Sequence, residues 1–234
     1  MRLLARMDFS KVSAEVAKEH PEWRYVSLAG ELQSHAGRLV SVCPSGEYSQ
    51  EQIFDILDEV VQRYPLDGFF INWTTMSEEN YYKRYHGFCH CDACQTRWRE
   101  YSGGLELPKG PQDANYARWL RFSRELLDGI TDGARSSIVQ RPPSACLILG
   151  KATEIVIQEV NNAVGRELWH HSTPDTISSW ISYRPDVPVS VNSTSLLDMP
   201  YRMANEELVH FAQYLLLCIS RGGYPSTYMM GTPG

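Results

Sequence analysis

The chain has 234 residues, of which 43% are hydrophobic and 21% are charged, a composition typical of globular proteins that excludes an intrinsically disordered chain. Its formal net charge of −6 comes from scattered acidic residues, so we expect no basic face for nucleic acid. No stretch reaches the roughly 18 consecutive apolar residues of a membrane-spanning helix, so we expect no membrane partner either.

Two features of the sequence predict a soluble protein of the cytoplasm. The N-terminal stretch MRLLARMDFS places Asp8 where a secretory signal peptide would carry its apolar segment, so we predict no export signal. The six cysteines are too few for a disulfide scaffold of this length, and Cys89, Cys91 and Cys94 are too close together to bridge one another comfortably. A reducing compartment fits this pattern best.

Short apolar runs followed by turn residues predict strands, and segments of helical periodicity separate them. The predicted strands are, in chain order, residues 2–7, 39–43, 68–73, 145–150, 154–160, 187–192 and 226–231. The predicted helices are residues 49–64, 114–136 and 205–223, and Ser49 is expected to cap the first of them. This alternation of strand and helix indicates a parallel α/β fold.

Two parallel architectures fit this order, an open doubly wound sheet and a (β/α)8 TIM barrel. No predicted strand leads into the Gly-x-Gly-x-x-Gly turn of the dinucleotide-binding variant. Polar residues instead follow the strand ends, as they do at the rim of a barrel. We therefore predict a TIM barrel over residues 1–234 as a single domain. Seven strands are visible, and one opens the chain while another almost closes it, so we predict a barrel incomplete at both termini.

The motif Cys89-x-Cys91-x-x-Cys94 places three thiols within six residues. Close-set thiolates are typical ligands of zinc, which takes four ligands in a tetrahedral arrangement. The spacing therefore predicts a zinc site, with three unliganded thiols in an ordered loop as the alternative.

The spacing leaves the fourth zinc ligand open. His90, His86 and a distant cysteine are the candidates, and Cys43 is favoured because it ends the predicted strand that precedes residues 68–73. A site with four protein ligands has no open position for water, so we expect the metal to brace the loop and not to catalyse.

Several segments resemble a known group of proteins when they are taken together. They are ARMDFS, HPEW, VCPSGEY, LDGFFINW followed by CHCDACQTRWREYSGGLELP, QEVNNA and MPYRMANEEL. In combination they are similar to the hypothetical glycosyl hydrolase group of (β/α)8 barrels. Members of that group are similar to bacterial α-L-fucosidases and share a cysteine pattern with the β-galactosidases of glycoside hydrolase family 42. The resemblance implies a carbohydrate substrate and a structural zinc held by Cys43, Cys89, Cys91 and Cys94.

Glycosidic cleavage usually requires two carboxyl groups, one to protonate the leaving oxygen and one to attack or to activate water. The resemblance places the nucleophile of the fucosidases at the end of strand 68–73, where this sequence has Asn72, and an amide cannot form a glycosyl ester. The Asn-Glu pattern of the β-galactosidases is also absent, because Trp73 follows Asn72. We predict that both residues bind the sugar instead.

Glu159 and Asp8, each at a predicted strand end, are the predicted catalytic carboxylates, and we expect both at one mouth. Structural roles are the alternative: Asp8 would cap the next helix or pair with Arg6, and Glu159 would pair with an arginine such as Arg166. Glu78 and Glu79, in the loop before the cysteines, are further candidate proton donors, with solvent-exposed side chains as the alternative. The predicted substrate-binding residues are Asn72, Trp73, Arg6, Asn161, Asn162 and His171.

The sequence thus predicts a glycoside hydrolase with a structural zinc site and a carbohydrate substrate. One alternative is a catalytically degenerate carbohydrate-binding barrel, because Asn72 replaces the expected aspartate. Another is a metalloenzyme in which the zinc itself performs hydrolysis. Assembly into a homo-oligomer is left open.

Overall fold

The computed structural model describes residues 3–35, 37–72, 75–76, 78–80, 82, 84–139, 145–148, 153–160, 164–165, 171–198, 201 and 204–228. These residues group into two compact units, Met1–Lys151 and Ala152–Gly234. Trp73, Asn161, Asn162 and Arg166, which the sequence analysis singled out, lie outside the described residues. Within the described ranges, no helix combines the length and the apolar character needed to cross a membrane.

Nine strands and six α-helices form among the described residues. The strands are β1 (Leu4–Asp8), β2 (Lys11–Ser13), β3 (Ser34–His35), β4 (Leu39–Ser41), β5 (Gly68–Asn72), β6 (Cys146–Ile148), β7 (Val156–Val160), β8 (Val189–Thr194) and β9 (Tyr224–Tyr228). The helices are α1 (Ala14–Glu19), α2 (Ile53–Arg63), α3 (Asp92–Ser102), α4 (Tyr116–Val139), α5 (Ser172–Tyr183) and α6 (Leu208–Ser220). A 3₁₀ turn at Pro21–Trp23 and a π-helical turn at Tyr48–Gln52 complete the regular structure.

In the first unit, β5 lies between β1 and β6 in a parallel sheet. Met7 of β1 pairs in register with Ile71 of β5, and these residues pack with Phe69 into an apolar core shared with α2 and α4. Arg6 and Asp8 lie on the opposite and exposed face, because side chains alternate along a strand. The exposed face of β1 is therefore the polar one.

The prediction that residues 39–43 form a parallel barrel strand is wrong. β4 pairs antiparallel with both β2 and β3 in a separate sheet, and β1 pairs directly with β5. The reason is connection length, since three residues separate β3 from β4 and a parallel pair needs a crossover of about a dozen residues or more.

The prediction that Ser49 caps a helix is also wrong. Ser49 is buried inside the π-helical turn, and its backbone N–H donates to the Gly46 carbonyl at 3.2 Å. The helical segment therefore begins earlier than the sequence pattern indicates and continues directly into α2. The cap of α6 is formed by Glu207, whose carboxylate accepts from the backbone N–H groups of Val209 and His210.

In the second unit, β8 lies between β7 and β9 in another parallel sheet. Val189 and Val191 of β8 pack with Ile177 of α5 and Cys218 of α6 in an apolar core. The chain thus folds as a mixed α/β protein with two three-stranded parallel sheets, neither of which is closed among the described residues.

Candidate functional site

The carboxyl ends of β1 and β5 bring Asp8 and Asn72 together. These residues are paired across the two strands, and Asn72 Nδ2 donates to Asp8 Oδ2 at 3.1 Å. Asp8 Oδ1 accepts from the backbone N–H of Ser10 at 3.0 Å and from its hydroxyl at 2.6 Å. The alternative in which Asp8 caps the next helix is wrong, because the Ser13 side chain caps α1. Three hydrogen bonds therefore fix the Asp8 carboxylate.

Arg6, a predicted substrate-binding residue, lies on the same exposed face of β1 as Asp8. Its guanidinium carbon lies 5.4 Å from the centre of the Phe70 ring on the neighbouring strand. This distance is within the range of a cation–π contact.

Two stacked aromatic rings follow α1, and a third ring packs against them at an angle of 39°. Trp23 lies flat against His20, with 3.7 Å between ring centres and 4° between planes, and its centre is 4.9 Å from that of Tyr48. Burial raises the pKa of Tyr48, and the negative charge of Asp8 raises it further. Tyr48 therefore remains a protonated hydroxyl within the field of the Asp8 carboxylate.

In the second unit, Glu159 lies at the carboxyl end of β7 and is exposed. It pairs in register with Asn192 of β8, which in turn pairs with Ser226 of β9. The Glu159 carboxylate accepts no hydrogen bond from any residue that the structure describes, whereas the Ser226 hydroxyl donates to Asn192 Oδ1 at 3.4 Å. His171 is exposed and precedes α5, where its side chain forms no capping bond.

Two of the three motif cysteines, Cys89 and Cys94, form a buried cluster with Cys43, whereas Cys91 lies outside the group of sulfurs within 4.8 Å of one another. The Sγ atoms of Cys43, Cys89 and Cys94 all lie within 4.8 Å of one another, and each of these residues is completely buried. Cys91 precedes α3 and is partly exposed, and the neighbouring Cys89 and burial contribute to a raised pKa of its thiol. The fold thus brings Cys43 to the motif although β4 lies outside the parallel sheet.

The thiols of the cluster interact strongly. Hydrogen bonds with Cys89, Cys91 and Cys94 raise the pKa of Cys43, whereas the bond with Cys43 and those with the other two thiols lower the pKa of Cys89. This opposite behaviour is expected when one thiol of a buried group ionises and its neighbours donate to it.

The surroundings supply further donors to the sulfurs. The backbone N–H of Val26 lies 3.4 Å from Cys89 Sγ, and the Ser45 hydroxyl lies 3.7 Å from Cys94 Sγ. Trp98, Trp119 and Phe88 enclose the cluster in a separate apolar core. Donors to sulfur inside a water-excluded core are the outer contacts that metal-bound thiolates require.

Three of the four cysteines lie close enough together to be ligands of one metal ion. Thiolates bound to one zinc ion at about 2.3 Å lie roughly 3.8 Å from one another. The Sγ atoms of Cys43, Cys89 and Cys94 lie within 4.8 Å of one another, which is compatible with that spacing. Among the described residues, no histidine joins this group. His90 stacks on Phe88, and His86 Nε2 lies 3.4 Å from the Asn80 amide. The chain therefore has a buried cysteine group that could hold a metal.

Glu78 stabilises the loop that follows β5 through hydrogen bonds of its side chain and its backbone. Its carboxylate accepts from the Tyr116 hydroxyl at 3.3 Å, and its carbonyl accepts from the His86 N–H at 2.7 Å. Burial raises the pKa of Tyr85 to about 12, and a hydrogen bond to Glu78 contributes to this rise. These contacts hold the loop against the start of α4, next to the cysteine cluster.

The sequence analysis did not identify Glu206 as a notable residue. Its side chain is 1% exposed, and Oε1 lies 3.6 Å from Nδ1 of His210 one helical turn away. The spacing of an acid and a histidine at i and i+4 was the signal that could have found it.

A small cavity of about 20 Å³ lies between β1, the turn before α2, and α4, and its lining includes Phe9, Ile53 and Ile130. A volume of this size holds a single water molecule and is too small for a sugar. The exposed strand ends are therefore better candidates for a binding site than this cavity.

These observations define a mixed α/β fold with carboxylate and amide side chains at the carboxyl ends of its parallel strands, and comparison with known proteins agrees with them. Residues 1–73 match the family model described as hypothetical glycosyl hydrolase 6, which confirms the resemblance inferred from the sequence. No curated protein matches the chain.

Two of the solved structures that match the chain do so at low sequence identity. α-L-Fucosidase isoenzyme 2 from Paenibacillus thiaminolyticus matches 99% of this chain with a TM-score of 0.71 and 12% identity. A family 36 α-galactosidase from Geobacillus stearothermophilus in complex with raffinose matches 100% of this chain and 29% of its own length, with a TM-score of 0.47 and 12% identity. The chain spans 34% of the length of the fucosidase. The fold is thus similar to that of a glycosidase.

Proposed function

We propose that this protein is a glycoside hydrolase that acts on a carbohydrate. The observation that carries the proposal is that Asp8 and Glu159 each lie at the carboxyl end of a parallel strand and each pair in register with an asparagine. Carboxyl groups at such strand ends are the groups that glycosidic cleavage needs. The family match and the glycosidase-like fold support the same class of substrate.

The two carboxylates differ in a way that suits different roles. Three hydrogen bonds hold Asp8 in one orientation, which suits a group that attacks or activates water. Glu159 is exposed and accepts no side-chain hydrogen bond from the described residues, so it is free to turn toward a leaving oxygen as proton donor. Asn72, Arg6 and His171 are the proposed sugar-binding groups, together with Trp73, Asn161 and Asn162.

We also propose a single structural zinc ion. Cys43, Cys89, Cys91 and Cys94 would hold it, and their burial leaves no approach for a substrate to three of the four sulfurs. When bound, the metal would tie the loop after β5 to the turn after β4. Thiols must remain reduced to bind a metal, so we propose that the protein is located in the cytoplasm. A TIM barrel is our proposal for the architecture.

The test is turnover of a panel of 4-nitrophenyl glycosides of α-L-fucose, α-D-galactose, β-D-galactose and β-D-glucose. We expect wild-type protein to cleave at least one of them, and Glu159→Gln and Asp8→Asn to lose about 100-fold or more of the rate. Gln158→Ala is the matched control, because Gln158 is exposed on the opposite face of β7. Retention of wild-type rates by both carboxylate variants would overturn the assignment.

One observation favours a second function, carbohydrate binding without hydrolysis. Asn72 occupies the position of the expected nucleophile, and its amide is already used to hold Asp8. In that case calorimetry would detect binding of a free sugar of the panel, while no aryl glycoside would be cleaved.

A further inference from the structure

The β7–β9 sheet has an unusual distribution of polar side chains on one face. Along β8, Val189 and Val191 face the apolar core formed with α5 and α6, so Ser190, Asn192 and Thr194 lie on the opposite face. Aliphatic side chains are the usual occupants of such a face in parallel sheets covered on both sides. Asn192 and Thr194 are nevertheless 8% and 5% exposed. Buried polar groups need partners, so this face is expected to be built around specific hydrogen bonds.

The neighbouring strands satisfy the two hydroxyls of this face. Ser190 Oγ donates to the Tyr224 carbonyl of β9 at 3.0 Å, and Thr194 Oγ1 donates to the Val160 carbonyl of β7 at 3.4 Å. These bonds account for Ser190 and Thr194 as structural groups. Neither hydroxyl is left to bind a ligand as a donor.

Asn192 differs from them because only half of its amide is used. Ser226 Oγ donates to Asn192 Oδ1 at 3.4 Å, which fixes the amide oxygen on the side of β9. The amide NH2 group has no hydrogen-bond partner among the described residues. The nitrogen is not among the fully buried side-chain atoms without a partner, so water or a ligand can reach this donor.

The register places this donor beside Glu159. Asn192 is the direct cross-strand partner of Glu159, and adjacent strands lie about 4.8 Å apart. Two oxygens on neighbouring carbons of a sugar ring therefore reach both groups at once. Glu159 would contact the glycosidic oxygen, and the NH2 group would donate to the hydroxyl on the next carbon.

We propose that Asn192 is a specificity-determining residue that binds the sugar hydroxyl on the carbon adjacent to the scissile bond, with Ser226 as the residue that orients its amide. The inference rests on the proposed function, because it takes Glu159 as the proton donor. It adds a requirement for the substrate, namely a free hydroxyl at that position.

The experiment compares two substrates in each variant. They are the glycoside of the panel that wild-type protein cleaves fastest and its 2-deoxy analogue. We expect Asn192→Ala to lose about 10-fold or more in kcat/KM on the parent glycoside and less than about 3-fold on the 2-deoxy analogue, because the analogue lacks the hydroxyl. Ser226→Ala should show the same pattern with a smaller loss. Ser226→Thr keeps a hydroxyl at this position, so it should retain wild-type kcat/KM on both substrates.

Ser190→Ala is the matched control, because Ser190 lies on the same face of the same strand but its hydroxyl is bonded to Tyr224. It should leave the ratio of the two kcat/KM values unchanged. Equal losses on parent and analogue in Asn192→Ala would show a merely structural role and overturn the inference, as would no loss on either. Absence of turnover by wild-type protein would instead remove the proposed function itself, and this inference with it.

Discussion

Asn72 donates a 3.1 Å hydrogen bond to Asp8 across the carboxyl ends of β5 and β1. Glu159 and Asn192 stand in the corresponding cross-strand relation on β7 and β8, without a direct bond between their side chains. Each parallel sheet thus presents a carboxylate next to an amide at the edge where ligands bind in α/β proteins. In the first sheet the amide fixes the carboxylate, and in the second the carboxylate remains exposed.

The Asp8–Asn72 bond predicts a pH-dependent response to Asn72→Asp. The substitution places a second carboxylate against Asp8. At neutral pH the repulsion between the two carboxylates should lower the free energy of unfolding by about 1 kcal/mol or more. At acidic pH one of the two carboxyls is protonated and can donate as the amide did. Urea unfolding at several pH values should therefore show a loss that shrinks as pH falls.

Asn72→Ala serves as the control for this prediction. It removes the same hydrogen bond without adding a charge, so at neutral pH its loss of stability should be smaller than that of Asn72→Asp, which adds the repulsion of two carboxylates. Equal losses in the two variants at neutral pH would contradict the paired geometry.

The cysteine cluster predicts one zinc ion per chain and a large contribution of that ion to stability. Cys94→Ser removes a completely buried ligand, so metal content should fall to near zero and the unfolding temperature should decrease. Elemental analysis by mass spectrometry and calorimetric unfolding would measure both effects. Cys218→Ala, at an equally buried thiol of the second unit, should retain the metal.

Retention of one zinc ion per chain by Cys94→Ser would show that the cluster is not its site. Loss of zinc with unchanged stability and lost activity would instead favour a catalytic metal.

Tyr25 predicts a loss of stability at alkaline pH. Burial raises the pKa of Tyr25 above its usual value of about 10, and the Cys89 charge contributes. The folded protein therefore keeps a proton that the unfolded chain releases, so this stability is complete below about pH 10 and is lost as pH rises further. The Tyr25 hydroxyl also donates to the Gly87 carbonyl at 2.8 Å.

Tyr25→Phe should therefore cost about 1 kcal/mol at neutral pH through the lost bond. The difference in unfolding free energy between wild-type protein and this variant should narrow as pH rises above about 10, because only the wild-type chain loses the tyrosine contribution. Urea titrations at about pH 8 and pH 11 would measure it. A constant or widening difference would contradict a raised pKa.

Two glycines of α4 predict opposite responses to alanine. A Cβ at Gly129 would meet no atom within 4 Å, so Gly129→Ala should stabilise the protein by up to about 1 kcal/mol through helix propensity. A Cβ at Gly133 would lie 2.7 Å from two ring carbons of Phe54, so Gly133→Ala should be destabilising. Thermal unfolding of both variants tests the packing of α4 against α2, and equal gains would contradict it.

The sequence predicted the parallel strands well because each is an apolar run bounded by turn residues. β1, β5, β6, β7, β8 and β9 all fall within or next to predicted segments. It did not reveal β2 and β3, which have three and two residues and too little periodicity to detect. Without them, residues 39–43 resembled another parallel strand.

The cysteine group was predictable in part. Spacing identified Cys89, Cys91 and Cys94, but only the resemblance to known proteins pointed firmly to Cys43, because the chain approaches the motif through the antiparallel sheet. The contacts of Ser226 with Asn192 were not predictable. They depend on the register of β8 and β9, which no local pattern specifies.

The most direct test of the central claim is a crystal structure of the protein soaked with the sugar released from the glycoside it cleaves fastest. The account predicts that the sugar binds at the carboxyl end of β7, with a ring oxygen or hydroxyl within hydrogen-bond distance of the Glu159 carboxylate and another at the Asn192 amide. Sugar bound only at sites away from these residues, at concentrations that saturate binding in solution, would contradict it.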